Sequence, residues 1–334
     1  MWAISGSYSV GIPHRFRPMD FRQLRYFAQI VESGSLSKAS RNLYVAQPAL
    51  SQQLAKLEDE VGKPLLHRST RGVTPTENGL ALYHHARFML RQLDQALSIA
   101  RQESGQIEGM VSIGLPATTV LAIGTPLVRR IRTKYPGIML NVVEGMSGHL
   151  THMIRLCQLD LAILFNSDVA SDLPSTVLLD EELFVILPSN SPLVPHDRTS
   201  ITIAEAAALP LILPTGTHGL RRRISAEFEE RNLTAHVVAE IDSLSLVMSC
   251  VYDGIGATIK PISSLQLGGK RRKEWRALSI SDARLSRRNY LYSINADLLS
   301  PAASVVANEV RETARHLVTT GQWQGVSLID NSSD

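Results

Sequence analysis

The sequence predicts an α/β fold with an N-terminal winged helix-turn-helix, a long linker helix, and a two-lobed α/β domain behind them. Three patterns predict it. From Phe21 to Val61 apolar residues recur at spacings of three and four with no strand-like alternation, the mark of helices that each bury one face. A longer stripe of the same spacing runs from Tyr83 to Ala100. Beyond Gly109 short apolar runs alternate with helix-like stretches, which describes strands joined by helical crossovers. At 334 residues the chain is long enough for two or three domains, each with its own core.

In the N-terminal segment, Phe21, Leu24, Phe27, Ala28 and Val31 make the inward face of the first helix. Gly34 ends it, and Ser35 caps the next, which runs through Ala39 to Leu43. A third helix starts after Tyr44-Val45-Ala46, with Pro48 in its first turn, where a missing N–H does no harm. Leu50, Leu54, Leu57 and Val61 share one arc of it, leaving Pro48, Ser51, Gln52, Ala55 and Lys56 on the opposite side. Leu65-Leu66-His67 and Val73-Thr74 read as two short strands, joined by a turn of Ser69, Thr70, Arg71 and Gly72, and so as a wing. Thr74-Pro75-Thr76-Glu77 reads as a capping box with proline at the first helical position, opening a helix that persists to about Glu103. Its stripe of Tyr83, Ala86, Leu90, Leu93 and Leu97 is narrow, like the seam of a coiled coil, and predicts dimerisation through a twin helix.

In the C-terminal half, Val111–Leu115, Met139–Val143, Leu159–Phe165, Leu183–Leu187, Leu211–Leu213, Val237–Ile241 and Ala257–Ile259 read as strands of parallel sheets. Helices are expected near Leu220–Arg231, Leu244–Tyr252 and Pro301–Val318, the last packing back on the first lobe. The expected division is an extension without ordered structure at 1–18, a winged helix-turn-helix at 19–76 and a linker helix at 77–108. Lobe I then takes 109–180 and 284–320, lobe II 181–283, and a tail 321–334.

Composition narrows the function classes. Hydrophobic residues at 44% and charged residues at 19% describe an ordinary soluble globular protein. The longest apolar runs are too short to cross a bilayer, so no membrane partner is expected. Cys157 and Cys250 sit in separate apolar contexts, which argues against a disulfide framework or a zinc site and fits a reducing cytoplasm. The net charge of +3 is too small to indicate a partner. Its distribution says more: between Phe21 and Thr76, Arg22, Arg25, Lys38, Arg41, Lys56, Lys63, Arg68 and Arg71 outnumber Glu32, Glu58, Asp59 and Glu60.

From Met19 onward the chain resembles the LysR-type transcriptional regulators. The resemblance rests on Leu24-Arg25-Tyr26-Phe27, on Gly34-Ser35-Leu36-Ser37-Lys38-Ala39-Ser40, on the run from Ala46-Gln47-Pro48 to Leu54, and on Leu65-Leu66-His67-Arg68. Arg71-Gly72-Val73-Thr74-Pro75-Thr76-Glu77, Val111-Ser112-Ile113-Gly114-Leu115 and Arg231-Asn232-Leu233-Thr234-Ala235 make it most similar to the nitrogen assimilation control branch. The resemblance implies a start at Met19, a periplasmic-binding-protein-like effector domain, and a homotetramer built as a dimer of dimers. Partners would be double-stranded DNA carrying an inverted-repeat operator, and RNA polymerase. Gln47, Pro48 and Ser51 match residues that meet base edges, with Gln52 beside them; Arg71 matches a wing residue of the minor groove, and Lys38 and Arg68 match phosphate neighbours. Many relatives carry Ser or Thr where this chain has Ala46, so the third helix lacks a side-chain cap.

Chemistry supports those assignments. A helix fits the major groove, and glutamine can bond adenine in two places at once, so Gln47 and Gln52 are sensible readers, although glutamines also merely solvate helices. Arg71 suits a narrow A·T-rich minor groove. In the sensing half, helix N-termini after strands suit a small-molecule carboxylate effector. Thr118 and Thr119 form one such place and Thr215, Thr217 and His218 another, which relatives bring together across a cleft; threonines also cap helices with no ligand present. No cofactor or metal is expected. Arg221-Arg222-Arg223 and Lys270-Arg271-Arg272-Lys273 read as solvated charges, and Met248 and Cys250 as core.

Enzyme patterns are incomplete. Ser35-Leu36-Ser37-Lys38 lacks the companion Lys-Thr-Gly. His84-His85 lacks the HExxH pattern, and Gly254-Ile255-Gly256 lacks a third glycine at the dinucleotide spacing. The expectation is therefore no enzyme. The alternatives are a solute-binding protein, which would have no reason to carry Met19–Thr76, and an α/β enzyme using the C-terminal cleft, which turnover of a metabolite would reveal.

Overall fold

The computed structural model describes residues 19–69, 72–101, 107–165, 172–295 and 299–329 and divides into two compact units, Met1–Leu97 and Ser98–Asp334. The expected extension at 1–18 lies outside the described residues.

The first unit contains α1 (Phe21–Ser33), α2 (Leu36–Leu43), α3 (Gln47–Val61), β1 (Leu66–Ser69), β2 (Gly72–Pro75) and α4 (Glu77–Arg101). Asp20 and Gln23 close a capping box at the start of α1, and Gly34 ends the helix at a left-handed φ of 61°. Ser35 accepts the Lys38 N–H to start α2. α3 starts at Ala46 with no side-chain cap. Leu50, Leu54 and Leu57 are buried together with Phe27, Ile30 and Leu65, each such side chain stabilising the fold by about 1.5–3 kcal/mol. Three expectations need correction. Phe21 and Val61, each in a terminal turn of its helix, are 47% and 38% exposed, while Ile30 is the fully buried residue of α1. The cap of α4 is Thr76, whose hydroxyl accepts the Gly79 N–H at 3.0 Å, not Thr74, and Pro75 closes β2. The antiparallel wing is tied to the end of α1 by the Val73 N–H, which donates to the Gly34 carbonyl at 3.0 Å.

The stripe on α4 is divided. Tyr83 packs against the core of the first unit, and its hydroxyl donates to Glu32, which also pairs with Arg87. Ala86 is completely buried within the unit. Ala86 therefore has no surface left for a twin, and Tyr83 is engaged with its own chain, contrary to the expectation that both belong to the seam. Leu90 and Leu93 are half-buried and Leu97 is 43% exposed.

In the second unit, lobe I is a six-stranded sheet in the order β14-β6-β13-β5-β3-β4. These are β3 (Gly109–Leu115), β4 (Ile138–Glu144), β5 (Leu161–Leu164), β6 (Ser175–Glu182), β13 (Ser286–Ser293) and β14 (Val326–Leu328). β3 runs parallel to β4 and β5, but β13 is antiparallel to β5 and β6, and β14 to β6. The sheet is mixed rather than purely parallel. α5 (Ala117–Thr119) continues through a π-helical turn at Val120–Gly124 into α6 (Thr125–Lys134). α6 and α11 (Pro301–Thr319) cover one face of the sheet, and α7 (Ser147–Arg155) covers the other. α11 docks on lobe I as expected. The segment expected as a tail supplies β14 as an edge strand.

Lobe II contains β7 (Phe184–Pro188), β8 (Ser200–Ile201), α8 (Ile203–Ala208), β9 (Leu211–Leu213) and α9 (Gly219–Glu229). It continues with β10 (Val237–Glu240), α10 (Leu244–Tyr252), β11 (Thr258–Lys260) and β12 (Trp275–Ile280). Its strands form a sheet β11-β7-β12-β8 and a parallel pair β10-β9. The chain passes from lobe I to lobe II between β6 and β7 and returns between β12 and β13. Met248 is buried and the partly buried Cys250 packs beside the same core, as expected. Neither Cys157 nor Cys250 is in a disulfide.

Candidate nucleic-acid interface and ligand cleft

The outer face of α3 follows from its inner one. With Leu50, Leu54 and Leu57 at 0–2% exposure, Gln47, Pro48 and Gln52 are exposed and Ser51 is half-buried on the other side. Gln47 is not loose: its Oε1 accepts the Ser37 hydroxyl at 2.8 Å, tying the start of α3 to α2. Lys38 is exposed on α2. Arg68 on β1 is exposed but lies 3.8 Å from Glu58. Arg71 lies outside the described residues. Tyr44, overlooked in the sequence, stands in the turn before α3, 96% exposed at a left-handed φ of 54°.

Between the lobes lies a cleft with two chambers. The larger, about 620 Å³, is walled on one side by Ser147, His149, Phe165 and Tyr290, and on the other by Thr215, Thr217, His218 and Arg222. The smaller, about 300 Å³, lies between Ala117, Thr118 and Glu144 of lobe I and Ser243, Leu244, Ser245 and Lys260 of lobe II. Met146, Ser147, Phe165, His218, Leu220, Asp242 and Arg287 line both. The two expected threonine places thus meet across one cleft, with one exception. Thr119 lines neither chamber: it is 1% exposed, and its hydroxyl has no hydrogen-bond partner among the described residues. A step of one residue turns a helix by about 100°, so Thr118 and Thr119 point in different directions.

Several of the expected ligand groups are already engaged. Thr118 Oγ1 accepts the Arg287 Nη2 at 2.7 Å. The Thr215 N–H and hydroxyl both donate to the Asp242 carboxylate, at 3.0 and 3.1 Å. His218 Nδ1 accepts the Leu220 N–H at 3.1 Å as the cap of α9, which leaves the ring proton on Nε2. Burial, with Lys260 adding to it, pushes the His218 pKa down to about 4, so near neutral pH this is a neutral imidazole. Thr217 remains exposed on the wall of the larger chamber.

A family model described as bacterial regulatory helix-turn-helix protein, lysR family, matches residues 21–80. A second, described as LysR substrate binding domain, matches residues 104–315. The chain belongs to the LysR family. This LysR-type transcriptional regulator is 38% identical to the nitrogen assimilation regulatory protein nac of Klebsiella aerogenes over 74% of this chain and 79% of that protein. It superposes on a full-length OxyR point variant from Pseudomonas aeruginosa with a TM-score of 0.70 at 20% identity, covering 90% of this chain and 96% of that one. It also superposes on full-length CbnR complexed with its target DNA, with a TM-score of 0.66 at 20% identity, covering 88% and 100%. At such identities these two structures speak for the fold.

In the LysR effector domain of this chain the sequence reading overlooked the charged centre of the cleft. Arg287 is 7% exposed and its guanidinium lies 3.6 Å from the centre of the Phe165 ring. It pairs at 2.7 Å with Glu181, itself 1% exposed. Arg287 is followed by Arg288 and Asn289 in a strand without apolar alternation, so nothing in the order of residues distinguishes the buried arginine from its exposed neighbour. Of the three consecutive arginines on α9, Arg221 and Arg223 pair with Glu240 and Glu227, and Arg222 faces the larger chamber. The side chains of residues 270–273 lie outside the described residues.

Proposed function

We propose that this regulator acts in the cytoplasm as a homotetramer or dimer on a double-stranded inverted-repeat operator, reading bases with α3 and adjusting transcription through a small-molecule carboxylate held in the cleft. The observation that carries the reading is the polar outer face of α3. Gln47, pre-positioned by Ser37, stands with Pro48, Ser51 and Gln52 opposite three buried leucines. A helix so presented fits the major groove, and a glutamine held in one rotamer loses less entropy on pairing with adenine. Lys38 and Arg68 meet phosphates, and Arg71 enters the minor groove from the wing. The match of residues 21–80 to the lysR-family helix-turn-helix supports this docking, and the likeness to a nitrogen assimilation regulator supports a regulon in nitrogen or small-acid metabolism.

Leu90, Leu93 and Leu97 continue an apolar stripe that α4 does not bury in its own unit, and they pair with a second copy. The Thr215, Thr217 and His218 wall faces Ser147 and Phe165 and is the effector seat. It binds rather than reacts, since His218 is neutral and capping while Thr215 is held by Asp242. RNA polymerase is the partner on the promoter. Gln47→Ala tests the base-reading role. It is expected to weaken binding to an operator taken from the regulator's own genome by roughly 5- to 150-fold, the equivalent of about 1–3 kcal/mol, and to leave binding to scrambled duplex unchanged. Equal losses on both duplexes in a gel-shift titration would remove Gln47 as a reader.

A further inference from the structure

Lys260 closes β11 beneath the smaller chamber and is only 5% exposed. Its ammonium has no hydrogen bond or ion pair among the described residues. A buried cation without a counter-charge is strongly unfavourable, and this one has another cation near it. Arg287 opposes its charge more than Asp242 supports it, and burial opposes it most of all. The surrounding charges do not supply the missing partner. Glu181 is taken by Arg287, Asp242 holds Thr215, Glu144 is exposed on the chamber wall, and His218 is neutral.

A second observation points into the same space. α10, nine residues long, starts at this chamber, and Leu244 and Ser245 line it. The first amides of a helix have no partner within it, and the Ser243 hydroxyl accepts only that of Leu246. Arg287 uses Nε and Nη2 on Glu181 and Thr118, while Nη1 has no partner among the described residues. A lysine, an arginine and the positive end of a helix therefore line one space of about 300 Å³.

We propose that the smaller chamber is an oxyanion subsite, in which Lys260, the first amides of α10 and Arg287 receive one carboxylate, phosphate or sulfate group. The rest of the ligand lies in the larger chamber, so the proposal rests on the reading of the cleft as an effector seat and gives that effector an anionic end. Lys260 is then retained for the ligand at the expense of the empty protein. Its pKa of about 8 keeps it charged at pH 7, and a bound anion raises that value, so affinity falls as the pH climbs past 8.

The test is the thermal unfolding of the full chain in dilute sodium sulfate against sodium chloride at matched ionic strength. Wild type is expected to gain several degrees in sulfate at pH 7 and much less at pH 9.5. Lys260→Met should lose that gain and melt higher than wild type in chloride, because the unpaired charge is gone. Ser245→Pro, which removes one amide in the first turn of α10, where that N–H has no partner within the helix, should reduce the gain with Lys260 intact. Arg222→Met, in the larger chamber, should keep it. A sulfate gain that survives in Lys260→Met, one lost in Arg222→Met, or none in wild type overturns the subsite. The effector reading fails separately: if carboxylates never alter operator affinity while the Lys260-dependent sulfate gain is present, the subsite stands and the regulation does not.

Discussion

Gly79 occupies the first turn of α4, where its N–H donates to the Thr76 hydroxyl, and a Cβ placed on it would lie 1.9 Å from the Leu65 carbonyl oxygen. The same carbonyl accepts the Thr76 N–H at 2.9 Å, and the Thr76 hydroxyl donates to the Pro64 carbonyl. The glycine is thus fixed by close approach of two backbones, not by its φ. Gly79→Ala should destabilise the first unit by about 1–3 kcal/mol, the usual range for overpacking a closed site, and a urea midpoint equal to that of wild type would contradict this. Gly72 at the wing combines both constraints, with φ 130° and the Gly34 carbonyl 2.4 Å from a would-be Cβ. Either substitution would move the wing relative to α3, the element expected to read bases.

The elements of the first unit divide their surfaces unequally. α1 and α3 bury one side each, whereas α4 is anchored near its start, where Tyr83 and Arg87 meet Glu32. Beyond Ala86 its described apolar side chains have partial cover at most: Leu90 and Leu93 are half-buried and Leu97 is exposed. A seam of this kind is satisfied by a second helix. Replacing Leu90 and Leu97 together by Asp should convert the proposed oligomer to monomers in sedimentation while leaving the helical circular dichroism of the folded units in place; an unchanged sedimentation mass would exclude the seam. In the second unit α11 shows the opposite arrangement. Its buried Glu309 takes hydrogen bonds from Arg130 and Lys134 of α6, joining two helices already packed on one apolar core.

At the scale of the whole molecule, acid should act through groups that differ between folded and unfolded chains. Burial holds His218 down to about 4 from an ordinary 6.5, so between those values the unfolded chain binds more protons and stability falls as the pH falls. Burial alone would raise the Glu309 carboxyl, but hydrogen bonds from Arg130 and Lys134 outweigh it and hold its pKa below the usual 4.5. Its contribution is full above pH 4.5 and is lost as the pH drops through the folded value. Urea midpoints should therefore decline from about pH 6.5 towards 4 and further below. His218→Asn, which keeps a capping oxygen for Leu220, should flatten the upper part of that decline; a profile that keeps its slope from 6.5 to 4 would show that His218 does not set it.

The local order of residues determined the helix-turn-helix, the uncapped start of α3, the long α4 and most strands of the two lobes, because apolar periodicity and capping act over a few residues. It also pointed to Gln47, Ser51 and Gln52, since a helix with one leucine face leaves a defined opposite face. Only the tertiary structure decided which polar groups are inside. Arg287, Glu181 and Lys260 come from three strands far apart in the chain, and β6 and β13 are polar enough to read as loops. Their burial is set by what packs over them. The same reason separates Thr118 from Thr119 and hides Ala86, because exposure is a property of neighbours brought together by folding, which spacing along the chain does not record.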